Sequence, residues 1–285
     1  MTSKRSTAIA IVGAGSLGSA LAVSLRGAGY RVPQIVSRPA AASRRRARRL
    51  AKIVQARVAV IDSFDNDVDL VWLCVPDRAI RNCARFLARR GDWKGKFVFH
   101  SSGALGSTEL VSLERRGAKV ASVHPMMTFV AGEPPVLKGV PFAVEGDAAA
   151  VRLAKRITRN LGGQPFSIQR NRKVAYHTWG SFASPLLISL LAATERVAGE
   201  AGVSRSSARK RMLPILRQTL ANYLSYGAAR AFSGPIIRGD AATVEKHLTT
   251  LRVIPDVKRV YMALARSALQ DLPARNKKEL LRILD

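Results

Sequence analysis

The stretch AIAIVGAGSLGSALAVSL, residues 8–25, carries no charge, and Lys4 and Arg5 stand just ahead of it. Two structures compete for such a run: a membrane-directed segment, or the opening strand and helix of an α/β fold. A membrane span needs about 18 or more predominantly apolar residues. A secretory signal needs a basic start, an apolar middle and a small-residue cleavage site. Gly13, Gly15 and Gly18, with Ser16, Ser19 and Ser24 among and after them, interrupt the run and argue against both. Ala8 to Val12 read as a short buried strand, and Leu17, Leu21 and Leu25 then recur at helical spacing. Strand, glycine turn and helix in this order give G-x-G-x-x-G the context in which it signals dinucleotide binding. Gly13 permits the tight turn, Gly15 lets the backbone approach a pyrophosphate, and Gly18 lets helix and strand pack closely. Ser16 and Leu17 open the helix, whose unpaired N–H groups suit an anion.

A chain of 285 residues can bury a sizeable core in one or two domains. Its hydrophobic content, 47%, is that of an ordinary globular protein, and no membrane association is expected. Two cysteines, Cys74 and Cys83, provide neither a disulfide framework nor metal-ligand spacing, so no metal is expected. The expected compartment is the reducing cytoplasm. Lys and Arg number 47 against 19 Asp and Glu, a formal net charge of +28. Such a surface attracts polyanions and steers small anionic ligands. Arg44, Arg45, Arg46, Arg48 and Arg49 form one dense cluster. No nucleic-acid-binding motif and few interleaved aromatics accompany it, so the expectation is a solvated basic face rather than a specific nucleic-acid site.

Beyond the glycine helix, strands read over 31–36, 57–61, 70–75, 96–99, 119–123 and 141–144, with helices over 40–52, 80–89 and 147–161. This alternation predicts an α/β Rossmann fold, a doubly wound, mostly parallel sheet covered on both faces. A last short strand reads over 165–168. After it only helical patterns follow, over 171–199, 205–230, 241–251, 256–270 and 275–284. The expected organisation is a dinucleotide-binding domain over 1–168 and an all-helical domain over 169–285 that helps to hold substrate.

The second strand ends Ile35-Val36-Ser37-Arg38, and no carboxylate occurs between Gly29 and Ile61. An NAD site of this type carries an Asp or Glu there for the ribose 2′-OH. A hydroxyl and a guanidinium suit a 2′-phosphate instead, so NADP(H) is the expected cofactor, with Ser37 and Arg38 as its contacts. Arg38 as an ordinary surface residue is the alternative. Val75 and Pro76 end the fourth strand, near where a nicotinamide or its ribose binds in such a sheet; Pro76 as a plain strand terminator is the other reading.

Two later strand ends carry polar groups, His100-Ser101-Ser102-Gly103 and His124-Pro125. Ser101 and His124 are candidates to position a substrate, against a purely structural role for each histidine. In the following helical stretch His177, Ser181 and Ser184 are spaced four and three apart, on one predicted face. Pro185 is expected to kink that helix. Reducing a carbonyl needs a hydride and a proton, and His177 is the candidate proton donor, with Ser184 beside it. In Gly234-Pro235-Ile236-Ile237-Arg238-Gly239-Asp240, Asp240 reads as a helix cap and Arg238 as a candidate contact for a small anionic substrate.

GAGSLGSALA, VSR, VWLCVPDRAI, HSSGAL, SVHPMMTF, PFAVEGD, the AYH…FAS helix and GPIIRGD…VEKHL occur in that order. Over nearly the whole chain this resembles the oxidoreductase-type proteins with an N-terminal Rossmann-like domain and a C-terminal domain of unknown function (2520). Their layout is similar to that of 6-phosphogluconate-dehydrogenase-like enzymes, whose helical domain often dimerises. Some relatives are regarded as ketopantoate reductases, and the N-terminal half is similar to coenzyme-F420-dependent NADP reductases. The resemblance implies an NADP-linked reductase of a small carbonyl or hydroxy compound, such as a 2-oxo acid, working as a homodimer. A catalytically silent NADP(H)-binding sensor or scaffold is the alternative. One departure is specific: relatives commonly carry Asn after the FAS serine, where this chain has Pro185.

Overall fold

The structure is a computed structural model that describes residues 7–130 and 137–285. The chain divides into two compact units, Met1–Ser184 and Pro185–Asp285.

In the first unit eight strands form one sheet: β1 (Ile9–Val12), β2 (Gln34–Ser37), β3 (Arg57–Val60), β4 (Leu70–Leu73), β5 (Phe97–His100), β6 (Lys119–Pro125), β7 (Pro141–Gly146) and β8 (Gln164–Ser167). Their order is β3-β2-β1-β4-β5-β6-β7-β8. Every pairing is parallel except β6 with β7, so the last two strands run against the rest. The helices of this unit are α1 (Ser16–Gly27), α2 (Ala41–Val54), α3 (Asp77–Ala88), α4 (Val111–Glu114), α5 (Ala148–Asn160) and α6 (Lys173–Ser181).

The strands are apolar because they are covered on both faces. Along β1 and β4, Ile9, Ile11, Leu70 and Trp72 enter one core, and Ala10, Val12, Val71 and Leu73 enter the core on the opposite face. Each large aliphatic side chain so buried contributes about 1.5–3 kcal/mol. On α2, Ala47, Leu50, Ala51 and Val54 recur at helical spacing and pack inward. The five clustered arginines occupy other positions of the helix, three before Ala47 and two after it, and remain exposed. They form no ion pair among the described residues.

The second unit holds α7 (Leu187–Glu200), α8 (Arg205–Ala231), α9 (Pro235–Arg238), α10 (Ala241–Thr250), α11 (Pro255–Asp271) and α12 (Lys277–Leu284). Its core is Val244, Leu248, Ala265, Leu269, Leu280 and Leu284. Helix α8 bends at Gly227, whose φ of 74° is left-handed. No residue of α7 and only Ala208 of α8 is buried. The helical run Arg170–Glu200 is long and apolar enough to cross a membrane by length and composition alone.

Three expectations change. The first unit extends past residue 168 to Ser184, because α6 plants Lys173 and Tyr176 in it, both buried. His124 does not follow its strand but lies inside β6, paired with Ala143, because antiparallel β7 prolongs β6 to Pro125. Around Pro185 the chain winds a π-helical turn, Phe182–Leu186. The wider turn accommodates the missing N–H of Pro185.

Candidate active site

The glycine loop leaves the carboxyl end of β1 at the centre of the sheet, where strand order reverses between β1 and β4. Gly13 has φ +108°, and a Cβ on it would lie 2.3 Å from the Cys74 carbonyl oxygen. A Cβ on Gly18 would lie 1.9 Å from the Gly13 carbonyl oxygen. Backbone packing therefore requires both glycines. Gly15 is different: nothing lies within 4 Å of its absent Cβ, and it is the N-cap of α1 with no side-chain cap. An open approach to uncapped N–H groups fits a phosphate group. Ser16 is exposed and Leu17 half-buried at this helix start. Burial keeps the Cys74 thiol protonated, with its pKa pushed far up.

At the end of β2, Ser37 is buried and its hydroxyl donates to the Arg38 carbonyl at 3.2 Å. Arg38 is exposed. At the end of β4, Val75 is half-buried and Pro76 is the N-cap of α3.

The loop after β5 is fixed by a buried polar network. His100 is fully buried; its Nδ1 accepts from the Ser102 N–H at 3.1 Å, so Nε2 carries the proton and donates to the Gly106 carbonyl at 3.0 Å. Burial pushes its pKa down to about 4, leaving it neutral. The Ser102 hydroxyl donates to Asp77 at 2.7 Å and accepts from the Leu105 N–H at 2.9 Å. Buried Glu145 accepts from the Ser107 N–H at 2.6 Å, the Ser107 hydroxyl at 2.9 Å and Arg170 Nε at 3.2 Å. The buried Ser101 hydroxyl oxygen accepts the Trp72 indole N–H at 2.8 Å, which ties the loop to β4.

Lys173 is the residue that sequence reasoning missed. It has no exposed surface, and its Nζ donates to the Ser102 carbonyl at 2.9 Å and to Ser122 Oγ at 2.7 Å. Burial pushes its pKa down to about 8, against the upward pull of Glu145 and Asp77. One turn on, Tyr176 is buried, and its hydroxyl lies 2.9 Å from His124 Nδ1 and donates to the His124 carbonyl at 3.3 Å. Burial pushes its phenol up to about 12. His124 is pushed down to about 3 by burial first, then by Lys173 and the other histidines. The exposed ring of His177 stands edge-on to His124, with centroids 5.9 Å apart. Gly103 lies against both rings: a Cβ there would be 2.3 Å from His177 Cδ2 and 2.9 Å from His124 Nε2.

The structure thus brings His124 and His177 together beside Gly103. Ser184 is half-buried in the π-helical turn. Arg238 belongs to the second unit, exposed at the end of α9. There Asp240 caps α10 as expected, accepting from the Thr243 N–H at 3.0 Å.

A sheet of this order, a glycine loop at its switch point and polar strand ends on the same edge define the Rossmann class. Residues 2–125 match the model of the Rossmann-like domain, and residues 140–268 that of the domain of unknown function DUF2520. The chain joins these two domains. Among curated proteins none matches it. Among solved structures it is similar to a candidate NADP oxidoreductase of Bacteroides fragilis, at 23% identity and TM-score 0.76, over 92% of this chain and 97% of that one. It is similar to protein TM1727 of Thermotoga maritima, at 24% and 0.70, over 97% and 98%. A reductive aminase of Aspergillus terreus in complex with NADPH and ethyl-5-oxohexanoate follows at 19% and 0.66, over 93% and 94%. These likenesses establish the fold.

Proposed function

We propose that this protein is an NADP(H)-dependent oxidoreductase that moves a hydride between nicotinamide and a small carbonyl, imine or hydroxy compound. The observation that carries the reading is the open, uncapped start of α1 at Gly15, between two glycines that packing demands. Arg38, exposed and without an ion pair among the described residues, is available to a 2′-phosphate. The reductive aminase and the Bacteroides protein, both tied to NADP, support the same cofactor.

Bound there, NADPH supplies the hydride. The chain supplies proton and grip. The exposed His177 imidazole exchanges a proton with the reacting oxygen or nitrogen, a contribution of about 10²–10⁴-fold. His124 contacts the ligand beside it, and ketopantoate and other 2-oxo acids are candidate substrates. The exposed apolar side chains Ile188, Ile215 and Leu224, at 63%, 67% and 81%, support a homodimer through α7 and α8. Sedimentation velocity tests that assembly, and a monomer at micromolar concentration would remove it. Cys74 and Cys83 are both free, in keeping with a cytoplasmic location.

Calorimetry with NADPH and NADH tests the cofactor. NADPH binds more tightly, and Arg38→Ala loses about tenfold of that preference, or about 1.4 kcal/mol. Failure of both coenzymes to bind at millimolar concentration overturns the reading. NADPH oxidation over a panel of 2-oxo acids, ketones and cyclic imines then tests turnover; His177→Ala at full rate would remove the assigned proton donor.

A further inference from the structure

We propose that Tyr176 is a positioning residue that locks His124 in its Nδ1–H tautomer, so that Nε2 offers the bound ligand a lone pair and not a proton. The proposal rests on the reading of this site given above and narrows the ligand it takes.

The argument is a count of protons. The Tyr176 hydroxyl has one, and it lies between two groups of the same residue: His124 Nδ1 at 2.9 Å and the His124 carbonyl at 3.3 Å. A carbonyl oxygen only accepts, so the contact at 3.3 Å consumes the phenol proton. The shorter contact is then a hydrogen bond only if Nδ1 donates to the phenol oxygen. The opposite tautomer, with the phenol donating to Nδ1, gives up the carbonyl bond of a phenol that is 6% exposed. Only the Nδ1–H form makes both bonds, using the phenol as donor and acceptor at once.

A neutral imidazole with its proton on Nδ1 has a bare Nε2. The ring is neutral because burial and the nearby Lys173 and histidines disfavour the imidazolium. Among the described residues Nε2 has no hydrogen-bond partner; it faces the backbone of Gly103, whose missing side chain keeps it uncovered. His100, ending the neighbouring strand, has the reverse arrangement, with Nδ1 accepting and Nε2 donating inward. A ligand atom that meets His124 Nε2 must therefore bring its own hydrogen. An alcohol O–H, an amine N–H or a protonated imine N–H does so. A keto oxygen or a carboxylate sets lone pair against lone pair, which leaves proton donation to His177.

The experiment is ¹⁵N NMR of the full chain labelled at histidine, with the four histidines assigned by single substitutions to Gln. The expected result is a pyridine-type Nε2 and a pyrrole-type Nδ1 for His124, and the reverse for His100. In Tyr176→Phe the His124 pair shifts toward the averaged values of a mixed tautomer while the His100 pair stays. A pyridine-type Nδ1 at His124 in the wild type overturns the proposal, and so does a folded Tyr176→Phe protein with the His124 pair unmoved. Calorimetry with NADPH on the same sample separates the two readings. The reversed tautomer with NADPH bound sinks this inference alone, and the expected tautomer without coenzyme binding sinks the oxidoreductase instead.

Discussion

Lys173→Met tests the buried ammonium under the loop after β5. Methionine keeps the length and the apolar stem and removes the charge. Lysine ordinarily titrates at 10.5, and Lys173 is pushed down to about 8. At about 1.4 kcal/mol for each pKa unit, that difference corresponds to about 3 kcal/mol. Between pH 8 and 10.5 the unfolded chain still binds the proton that the folded chain has released, so wild-type stability rises through this window. The variant has no such gain. Tryptophans 72, 93 and 179 all lie in the first unit, so their fluorescence during urea unfolding reports the unit that holds Lys173. Cys74 opposes the trend. Its thiol is pushed up from 9.0 by burial, which costs stability above that pH in both proteins and cancels in their difference. Wild type minus variant should therefore grow by about 3 kcal/mol from pH 8 to 10.5. Parallel curves would refute the buried, destabilised ammonium. In the variant, Ser122 Oγ still has the Ser102 carbonyl at 3.3 Å, so folding does not depend on the lysine alone.

Gly103→Ala drives a methyl into His177 and His124; it should cost about 1–3 kcal/mol in urea unfolding and most of the turnover, and an unchanged rate would contradict the packing of the two rings. Gly15→Ala and Gly18→Ala should separate binding from folding. The first has open space and should unfold like wild type yet bind NADPH at least tenfold more weakly, whereas the second should lose stability first, because its Cβ strikes the Gly13 carbonyl. His100 and His124 are held neutral well below the ordinary 6.5, at about 4 and about 3. Below pH 6.5 the unfolded chain binds two protons the folded chain refuses, so stability should fall with pH, approaching about 2.7 kcal/mol per pH unit. A flat profile between pH 6.5 and 5 by tryptophan fluorescence would show that the histidines are not buried as described.

How much was legible follows from the range of each cause. Strand, glycine turn and helix over residues 8–25 are decided within one short stretch: a continuous apolar run, a left-handed φ only glycine adopts freely, and a leucine stripe at helical spacing. The strands read over 57–61, 70–75 and 119–123 announced themselves in the same way, and the structure places them at 57–60, 70–73 and 119–125. The strand end at Ser37-Arg38, without a carboxylate, was legible too, because it is a matter of residue type at a known offset. His124 and His177 were visible as candidates, but nothing in their local sequence says that they meet over Gly103.

The sequence by itself determined the alternation of elements, the glycine loop and the surplus of positive charge, since these depend on neighbours a few residues apart. Only the tertiary structure decided which polar groups are buried and which partners they bond. Lys173 opens a helix and looks like any solvated lysine, yet its partners lie 71 and 51 residues away, in the loop after β5 and within β6. Tyr176 meets His124 across 52 residues, and Ser101 loses its freedom to Trp72 across 29. Burial and hydrogen-bond partnership are properties of chain segments brought together, and local composition carries no record of that encounter.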